Sequence, residues 1–210
     1  SDETRYVSRA GAKLEHVLRG CGAEPRDAVA LDIGQSTGGF TDCLLAGGAA
    51  VVHCVDVGRG QLAWKLRTDP RVRVHEGVNI MHLGPGDLDP PPDRAVADLS
   101  FRSLRGAAPA ILALTREGVG IFLCKPQFEW NDHPADFRGV VNEPRDLAAI
   151  LHGLVDDLWD EGAFTRRIEP SPVRGRKGNR EFLLLVSDRP GGNRAAASAA
   201  VDDGIGSLEV

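Results

Sequence analysis

Short apolar runs alternate with helical stretches along the chain, and this alternation predicts the fold. Strand-sized apolar runs lie at 29–34, 51–58, 72–77, 94–100, 119–127, 164–170 and 181–187. Helical stretches lie between most of them, at 39–47, 61–68, 103–114 and 144–160. Strands that alternate with helices are typical of an α/β fold, in which helices cover both faces of a mostly parallel sheet.

The two ends of this pattern differ from its middle. The runs 164–170 and 181–187 leave no room for a helix between them, so they predict an antiparallel hairpin at or near the sheet edge. Residues 1–26 are polar and contain one helical pattern, which we assign to the same domain as the core at 27–188. Residues 189–210 are rich in Gly, Ala, Ser and Asp and lack aromatic residues, so we expect a flexible tail.

Composition narrows the classes of protein that this chain can represent. Lys and Arg number 25 against 30 Asp and Glu, a net charge of −5, so nucleic-acid binding would require a local basic patch. No apolar run reaches the roughly 18 residues of a membrane span, and the polar start argues against a signal peptide. The four cysteines form no C-x-x-C pair, which predicts a cytoplasmic protein with reduced thiols and no metal site.

The stretch LDIGQSTGGFTD (31–42) carries the most specific local signal. A strand enters Gly34, and small residues follow up to Gly39, where a helix begins. Ser36 replaces the middle glycine of the dinucleotide fingerprint, which argues against NAD. Asp56 ends the next strand, where a carboxylate can accept hydrogen bonds from ribose hydroxyls. A ligand with a ribose and no pyrophosphate, such as S-adenosylmethionine (SAM), fits both features; the alternative is a tight turn with Asp56 as a helix cap.

Four ionisable residues lie beside predicted strands or a helix. Asp98 and Lys125 follow apolar runs, Glu181 opens the last run, and Lys13 lies in the first helix. In a parallel sheet, Asp98 and Lys125 would lie near the Gly34 turn. Each residue also has an ordinary structural explanation. Lys13 could be solvated, Asp98 could cap a turn, Lys125 could simply end a strand, and Glu181 could pair with a neighbouring cation.

Six blocks carry a resemblance to a known family: SRAGAKLE, LDIGQSTGGFTDCLL, VDVGRGQLAWKLRTDPRV, ADLSF, CKPQFE and PSPVRGRKGNREFLLL. Together they resemble the TlyA-type methyltransferases of the FtsJ-like ribosomal RNA 2′-O-methyltransferase group, and the resemblance covers about residues 6–187. The resemblance implies a Rossmann-like SAM-dependent methyltransferase fold with a seven-stranded sheet. It also implies methyl transfer to the 2′-hydroxyl of a ribose, typically of a cytidine, with ribosomal RNA or ribosomal subunits as partners and no membrane.

The resemblance also implies which residues form the site. The group uses a Lys-Asp-Lys-Glu tetrad, which falls on Lys13, Asp98, Lys125 and Glu181. The implied SAM contacts are Asp32, Gly34, Ser36, Thr37, Gly38, Gly39, Asp56, Val57, Asn79, Ile80 and Asp98. Two features are expected to depart from the family pattern: we expect the S4-type RNA-binding domain of the group to be absent, and Gln35 stands where small residues are common. Lys125 is the residue expected to act on the 2′-hydroxyl, either as a base or as a stabiliser of the developing oxyanion.

A basic stretch lies just before Glu181. Residues 166–180 contain six basic residues against one glutamate. We expect Arg174, Arg176 and Lys177 to contact RNA phosphates; the alternative is a solvated hairpin loop. Two aromatic residues just past Lys125, Phe128 and Trp130, could stack on a splayed base; for Phe128 the alternative is packing in the core.

Two other functions remain open from the sequence. The same fold could carry a small-molecule methyltransferase, because a fold does not fix its function. A non-enzymatic haemolysin-like protein is the third possibility, since some members of the group carry that label.

Overall fold

In a computed structural model, the apolar runs form the strands of one sheet. The structure describes residues 5–21, 24–100 and 102–208, and it describes only the backbone of Arg176. The strands are β1 (Val29–Ile33), β2 (Val51–Asp56), β3 (Val72–Glu76), β4 (Arg94–Ala97), β5 (Val119–Cys124), β6 (Phe164–Pro170) and β7 (Phe182–Ser187). The inner strands are buried over nearly their whole length, since helices cover both faces. This burial explains why their sequences are continuously apolar rather than alternating.

The strand order is β3-β2-β1-β4-β5-β7-β6. Neighbours from β3 to β5 pair in parallel, and β7 lies antiparallel to both β5 and β6. The prediction of a mostly parallel seven-stranded sheet with a C-terminal antiparallel hairpin is therefore confirmed. The order reverses direction between β1 and β4, and ligands bind at the carboxyl ends of strands beside such a switch point.

Helices form one layer on each face of the sheet. They are α1 (Ala10–Cys21), α2 (Gly39–Ala46), α3 (Trp64–Arg67), α4 (Ala107–Leu112), α5 (Pro144–Asp160) and α6 (Arg194–Gly206). One core cluster joins α4, α5 and α6 to the sheet, with Ile111, Leu151 and Val201 among its buried members. The other joins α1, α2 and α3 to the opposite face, with Leu14 and Leu44 fully enclosed.

The expectation of a flexible tail over 189–210 is wrong for most of that segment. Residues Arg194–Gly206 form α6, whose first turn is capped by the Asn193 side chain. Small residues bring this helix close to β6: a Cβ placed on Gly204 would lie 3.0 Å from Ile168 Cγ2. Counting large apolar residues therefore missed the helix, because its buried face consists mainly of alanine, valine and glycine.

Candidate active site

The carboxyl ends of β1, β2 and β4 meet at Gly34. Gly34 N donates to Val55 O at 2.8 Å, and Asp98 N donates to Ile33 O at 3.0 Å. Gly34 has φ +74°, and a Cβ on it would lie 2.4 Å from the Asp98 carbonyl oxygen. Glycine is required here because a side chain would separate the turn from the end of β4.

The small residues after Gly34 form a tight turn that packs against two helices. Ser36 and Gly38 adopt φ +50° and φ +101°. A Cβ on Gly38 would overlap the leucine side chains around α3, and one on Gly39 would lie 2.2 Å from Ser8 Oγ. Thr37 O accepts from Ala63 N at 3.1 Å. These two glycines therefore allow close packing of the turn within the protein.

Asp56 fixes this turn to the end of β2. Its Oδ2 accepts from Ser36 N at 3.0 Å, and its Oδ1 accepts from Gly58 N at 2.8 Å. A carboxylate offers about four lone-pair positions, so two anchoring bonds leave capacity for further donors. The next residue, Val57, exposes 72% of its surface.

The end of β3 contributes a short 3₁₀ turn. Asn79 Oδ1 accepts from Met81 N at 3.0 Å and so begins the turn Ile80–His82. Ile80 is buried in the core, whereas Met81 is exposed. Of these two implied SAM contacts, Asn79 is partly exposed and Ile80 faces the interior.

Asp32 lies beneath the turn and has no exposed surface. Its Oδ2 accepts from Thr41 Oγ1 at 2.6 Å, while its Oδ1 has no hydrogen-bond partner among the described residues. Burial raises the pKa of Asp32 to about 7; the hydrogen bond from Thr41 opposes the shift, and the charges of Asp98 and Asp56 add to it. Asp32 therefore links β1 to α2 through its hydrogen bond with Thr41.

The four residues of the tetrad form two ion pairs at one edge of the sheet. Lys125 Nζ lies 2.5 Å from Asp98 Oδ1, and Lys13 Nζ lies 2.5 Å from Glu181 Oε2. β5 pairs Cys124 with Phe182 of the antiparallel β7, so Lys125 and Glu181 adjoin the same end of these two strands. The Lys13–Glu181 pair is buried, whereas the Lys125–Asp98 pair is partly open to solvent.

Glu129 is a site residue that the sequence reasoning missed. It is buried, and its carboxylate accepts from Ser103 Oγ at 2.5 Å, from Leu104 N at 2.8 Å and from Arg105 Nη1 at 2.9 Å. It thereby ties the loop that follows Asp98 to the turn that follows Lys125. Burial raises the pKa of Glu129, and these three hydrogen bonds oppose the shift. Its place in the block CKPQFE is the signal that could have indicated it.

The basic stretch divides between two places. Arg166 donates to the Arg189 carbonyl, and Arg167 donates to Gly20 O at 2.6 Å, both from the edge strand β6. The segment 174–180 lies instead beside Glu181: a Cβ on Gly175 would lie 2.0 Å from Glu181 Oε1.

Of the residues expected to contact RNA, Arg174 and Lys177 are exposed in this segment, and the side chain of Arg176 lies outside the described part of the chain.

Trp130 packs against the core rather than standing free. Its ring meets the Phe137 ring edge-on, with centroids 5.3 Å apart. Both rings pack against the core cluster that joins α4, α5 and α6 to the sheet. Trp130, which the sequence suggests as a ring able to stack on a base, is therefore engaged in core packing. In the described residues, the large apolar side chains that are exposed are Val57, Trp64, Met81 and Val140.

Comparison with known proteins identifies similar chains. The model of the FtsJ-like methyltransferase family matches residues 6–187. YqxC of Bacillus subtilis is 42% identical over 182 residues, which are 86% of this chain and 65% of YqxC. The 16S/23S rRNA (cytidine-2′-O)-methyltransferase TlyA of Mycobacterium tuberculosis is 37% identical over 204 residues, 97% of this chain and 75% of that protein. The chain thus spans about two thirds to three quarters of the length of these relatives.

Solved structures show the same fold. A candidate hemolysin from Streptococcus thermophilus superposes with a TM-score of 0.88 at 34% identity, over 100% of this chain and 78% of that one. The described part of this chain contains no helix that is long and apolar enough to cross a membrane.

Proposed function

The chain belongs to the FtsJ-like methyltransferase family, and on that premise we propose that it transfers a methyl group from SAM to a ribose 2′-hydroxyl of ribosomal RNA. One observation carries the proposal: the Lys125–Asp98 pair adjoins the Gly34 turn at the carboxyl edge of the sheet. The nucleotide is a cytidine by analogy with TlyA, whose name states that specificity. An rRNA substrate would place the protein with ribosomes in the cytoplasm.

The residues at the ends of β1 to β3 fit SAM. The Asp56 carboxylate retains acceptor capacity for ribose hydroxyls, and the exposed apolar side chains of Val57 and Met81 suit a flat adenine ring. Gln35 Oε1 is buried without a hydrogen-bond partner in the described residues, which suits a ligand that carries an ammonium group. When bound, SAM supplies the methyl group on an activated sulfonium. The other residues proposed to line its site are Gly34, Ser36, Thr37, Asn79 and Asp98. The buried residues Asp32, Gly38, Gly39 and Ile80 are proposed to shape the site from the protein side.

Lys125 is the residue proposed to act on the 2′-hydroxyl. Its Nζ donates to Asp98 Oδ1, which orients the amine beside the turn. From that position it can stabilise the developing oxyanion or, when neutral, accept the hydroxyl proton. Arginine separates these roles, because a guanidinium stabilises negative charge and cannot accept a proton.

Lys13 and Glu181 form the second ion pair of the tetrad. Their pair is buried, and it joins α1 to the start of β7. We propose that this pair fixes α1 and the start of β7 beside the site, since positioning of reactants supplies much of the rate in such reactions.

The test is methyl transfer from labelled SAM to isolated small and large ribosomal subunits, followed by nucleotide mapping. We expect a ribose-methylated cytidine with the wild-type chain and none with folded Lys125→Ala. Binding of SAM without labelling of RNA in either subunit or in extracted rRNA would contradict the RNA substrate and favour a small-molecule acceptor.

A further inference from the structure

We propose that two loops far apart in sequence, residues 138–142 and 174–180, form one RNA-docking surface beside the tetrad. We call it the paired-loop surface. The inference rests on the proposed function in one respect, namely that its occupant is the substrate RNA. It adds the first loop to the binding site and identifies the residues that hold the two loops together.

Two asparagines join the loops. Asn179 is 2% exposed, its Oδ1 accepts from Val141 N at 2.8 Å, and its Nδ2 donates to Gly139 O at 2.9 Å. In the other direction, Asn142 Oδ1 accepts from Arg180 N at 3.0 Å. A buried amide that bonds backbone at both of its ends fixes the relative position of the two segments.

The paired-loop surface begins at the tetrad. Gly175 N donates to Asn179 O at 2.9 Å, so the asparagine that joins the loops also holds Gly175. Gly175 in turn abuts the Glu181 carboxylate, leaving no room for a Cβ. A chain that lies along these loops therefore passes next to the Lys13–Glu181 pair.

The charge of this surface suits a polyanion. The two loops contain five basic and no acidic residues, in a chain whose net charge is −5. Arg138, Arg174 and Lys177 are exposed, and in the described residues none of them forms an ion pair with a carboxylate. Many arginines elsewhere are neutralised by such pairs. Examples are Arg67 with Glu76, Arg94 with Glu117, Arg105 with Glu129 and Arg116 with Asp93.

RNA is favoured over an acidic protein as the occupant. Guanidinium groups bind phosphate oxygens through two parallel hydrogen bonds, and the surface presents several of them beside the site proposed to receive a ribose. Local clusters of basic residues on an otherwise acidic protein are the expected electrostatic footprint of nucleic-acid binding.

The first experiment measures binding of a short, cytidine-containing single-stranded RNA by fluorescence anisotropy over a range of salt concentrations. Arg138→Gln and Arg174→Gln should each weaken binding severalfold and lower the slope of log K against log salt by about 0.7 per lost phosphate contact. The matched control is Arg73→Gln, an equal charge change on β3 at the opposite edge of the sheet, which should leave affinity and slope unchanged.

The second experiment tests the joining of the loops without removing charge. Asn142→Ala alters an exposed residue and keeps every cation, so the chain should fold with a normal Tm. We expect weaker RNA binding with an unchanged salt slope, because the cations remain but the loops are no longer fixed. Asn179→Ser, at the buried position, should show the same effect more strongly.

The outcomes separate this inference from the proposed function. If ribosomal subunits are methylated and Arg138→Gln binds RNA with wild-type affinity and slope, residues 138–142 do not belong to the surface and the inference is wrong. If poly-glutamate binds as tightly as RNA and with the same dependence on Arg138 and Arg174, the occupant is an acidic protein instead. If RNA binding depends on both arginines while no ribosomal RNA is methylated, the proposed function alone fails.

Discussion

Lys13 Nζ lies 2.5 Å from Glu181 Oε2, although 168 positions separate the two residues in the sequence. The ammonium and the carboxylate are both buried, with 10% and 4% of their side chains exposed. A buried charge requires a partner, because water no longer solvates it. The pair therefore couples the first helix of the chain to its last strand at the edge of the proposed site.

Removing either partner of this pair should destabilise the protein strongly. Lys13→Met or Glu181→Gln leaves one buried charge without its counter-ion, and we expect each to lower the free energy of unfolding by about 3–5 kcal/mol. The double variant Lys13→Met/Glu181→Met removes both charges and should regain most of that stability, while methyl transfer stays lost. Urea denaturation measures the first effect and the ribosomal methylation assay the second.

The exposed pair Arg19–Glu15 on the same helix provides the control for these measurements. Arg19→Gln should cost no more than about 1 kcal/mol, as is usual for exposed ion pairs. A similarly small cost for Lys13→Met would show that the buried pair is effectively solvated.

Asp56→Ala should weaken SAM binding by about 1–3 kcal/mol, because the ribose hydroxyls would lose a charged acceptor. The carboxylate also holds Ser36 N and Gly58 N, so Asp56→Asn serves as the milder variant that retains one oxygen. Calorimetric titration with SAM measures the affinity of both variants. Unchanged affinity in folded Asp56→Ala would remove Asp56 from the cofactor site.

Stability should depend on pH through Asp32. Burial raises the pKa of Asp32 from 3.8 to about 7, so the folded state holds its proton more tightly than the unfolded state. The resulting stabilisation is complete below about pH 4 and is lost as the pH rises through about 7. In Asp32→Asn the free energy of unfolding should therefore change less over this interval than in the wild type.

The exposed residue Asp136 supplies a matched control, since Asp136→Asn removes a carboxylate at the surface. Chemical denaturation at several pH values measures the free energy of unfolding of the wild type, Asp32→Asn and Asp136→Asn. An identical pH dependence in the wild type and Asp32→Asn would show that Asp32 is ionised at little cost in the fold.

The strands and the strand-end residues could be predicted from the sequence because both follow from residues that are neighbours along the chain. Burial on two faces makes each strand a continuous apolar run, and Asp98 and Lys125 directly follow two of them. The bonds of Glu129 and Asn179 could not be predicted in this way. Glu129 contacts residues about 25 positions away and Asn179 contacts residues about 40 positions away, and no periodicity encodes such contacts.

Glu129 should be a positioning residue for the reaction. Its carboxylate holds the loops that follow Asp98 and Lys125, so Glu129→Gln, which accepts fewer hydrogen bonds, should lower kcat with little change in the affinity for SAM. Glu129→Asp retains the charge and should recover part of the rate. The control is Asp157→Asn, which removes the other partner of Arg105 and should leave the rate near normal. Equal losses of SAM affinity and rate would indicate general unfolding instead.

Lys125 should be required for methyl transfer and dispensable for SAM binding. Its side chain pairs with Asp98 and is partly open to solvent, so Lys125→Ala removes little core packing and should keep the fold. The variant loses the amine that stabilises or deprotonates the 2′-hydroxyl, an effect on the order of 10²–10⁴ in rate for a general base. Single-turnover methylation of ribosomal subunits measures that loss, and calorimetry shows whether SAM still binds.

Lys125→Arg then distinguishes the two roles of the amine. A guanidinium keeps the positive charge beside Asp98 and cannot accept a proton, so partial activity indicates electrostatic stabilisation, and activity as low as in Lys125→Ala indicates a base. Near-normal turnover in Lys125→Ala would exclude both roles and leave Lys125–Asp98 as a structural ion pair.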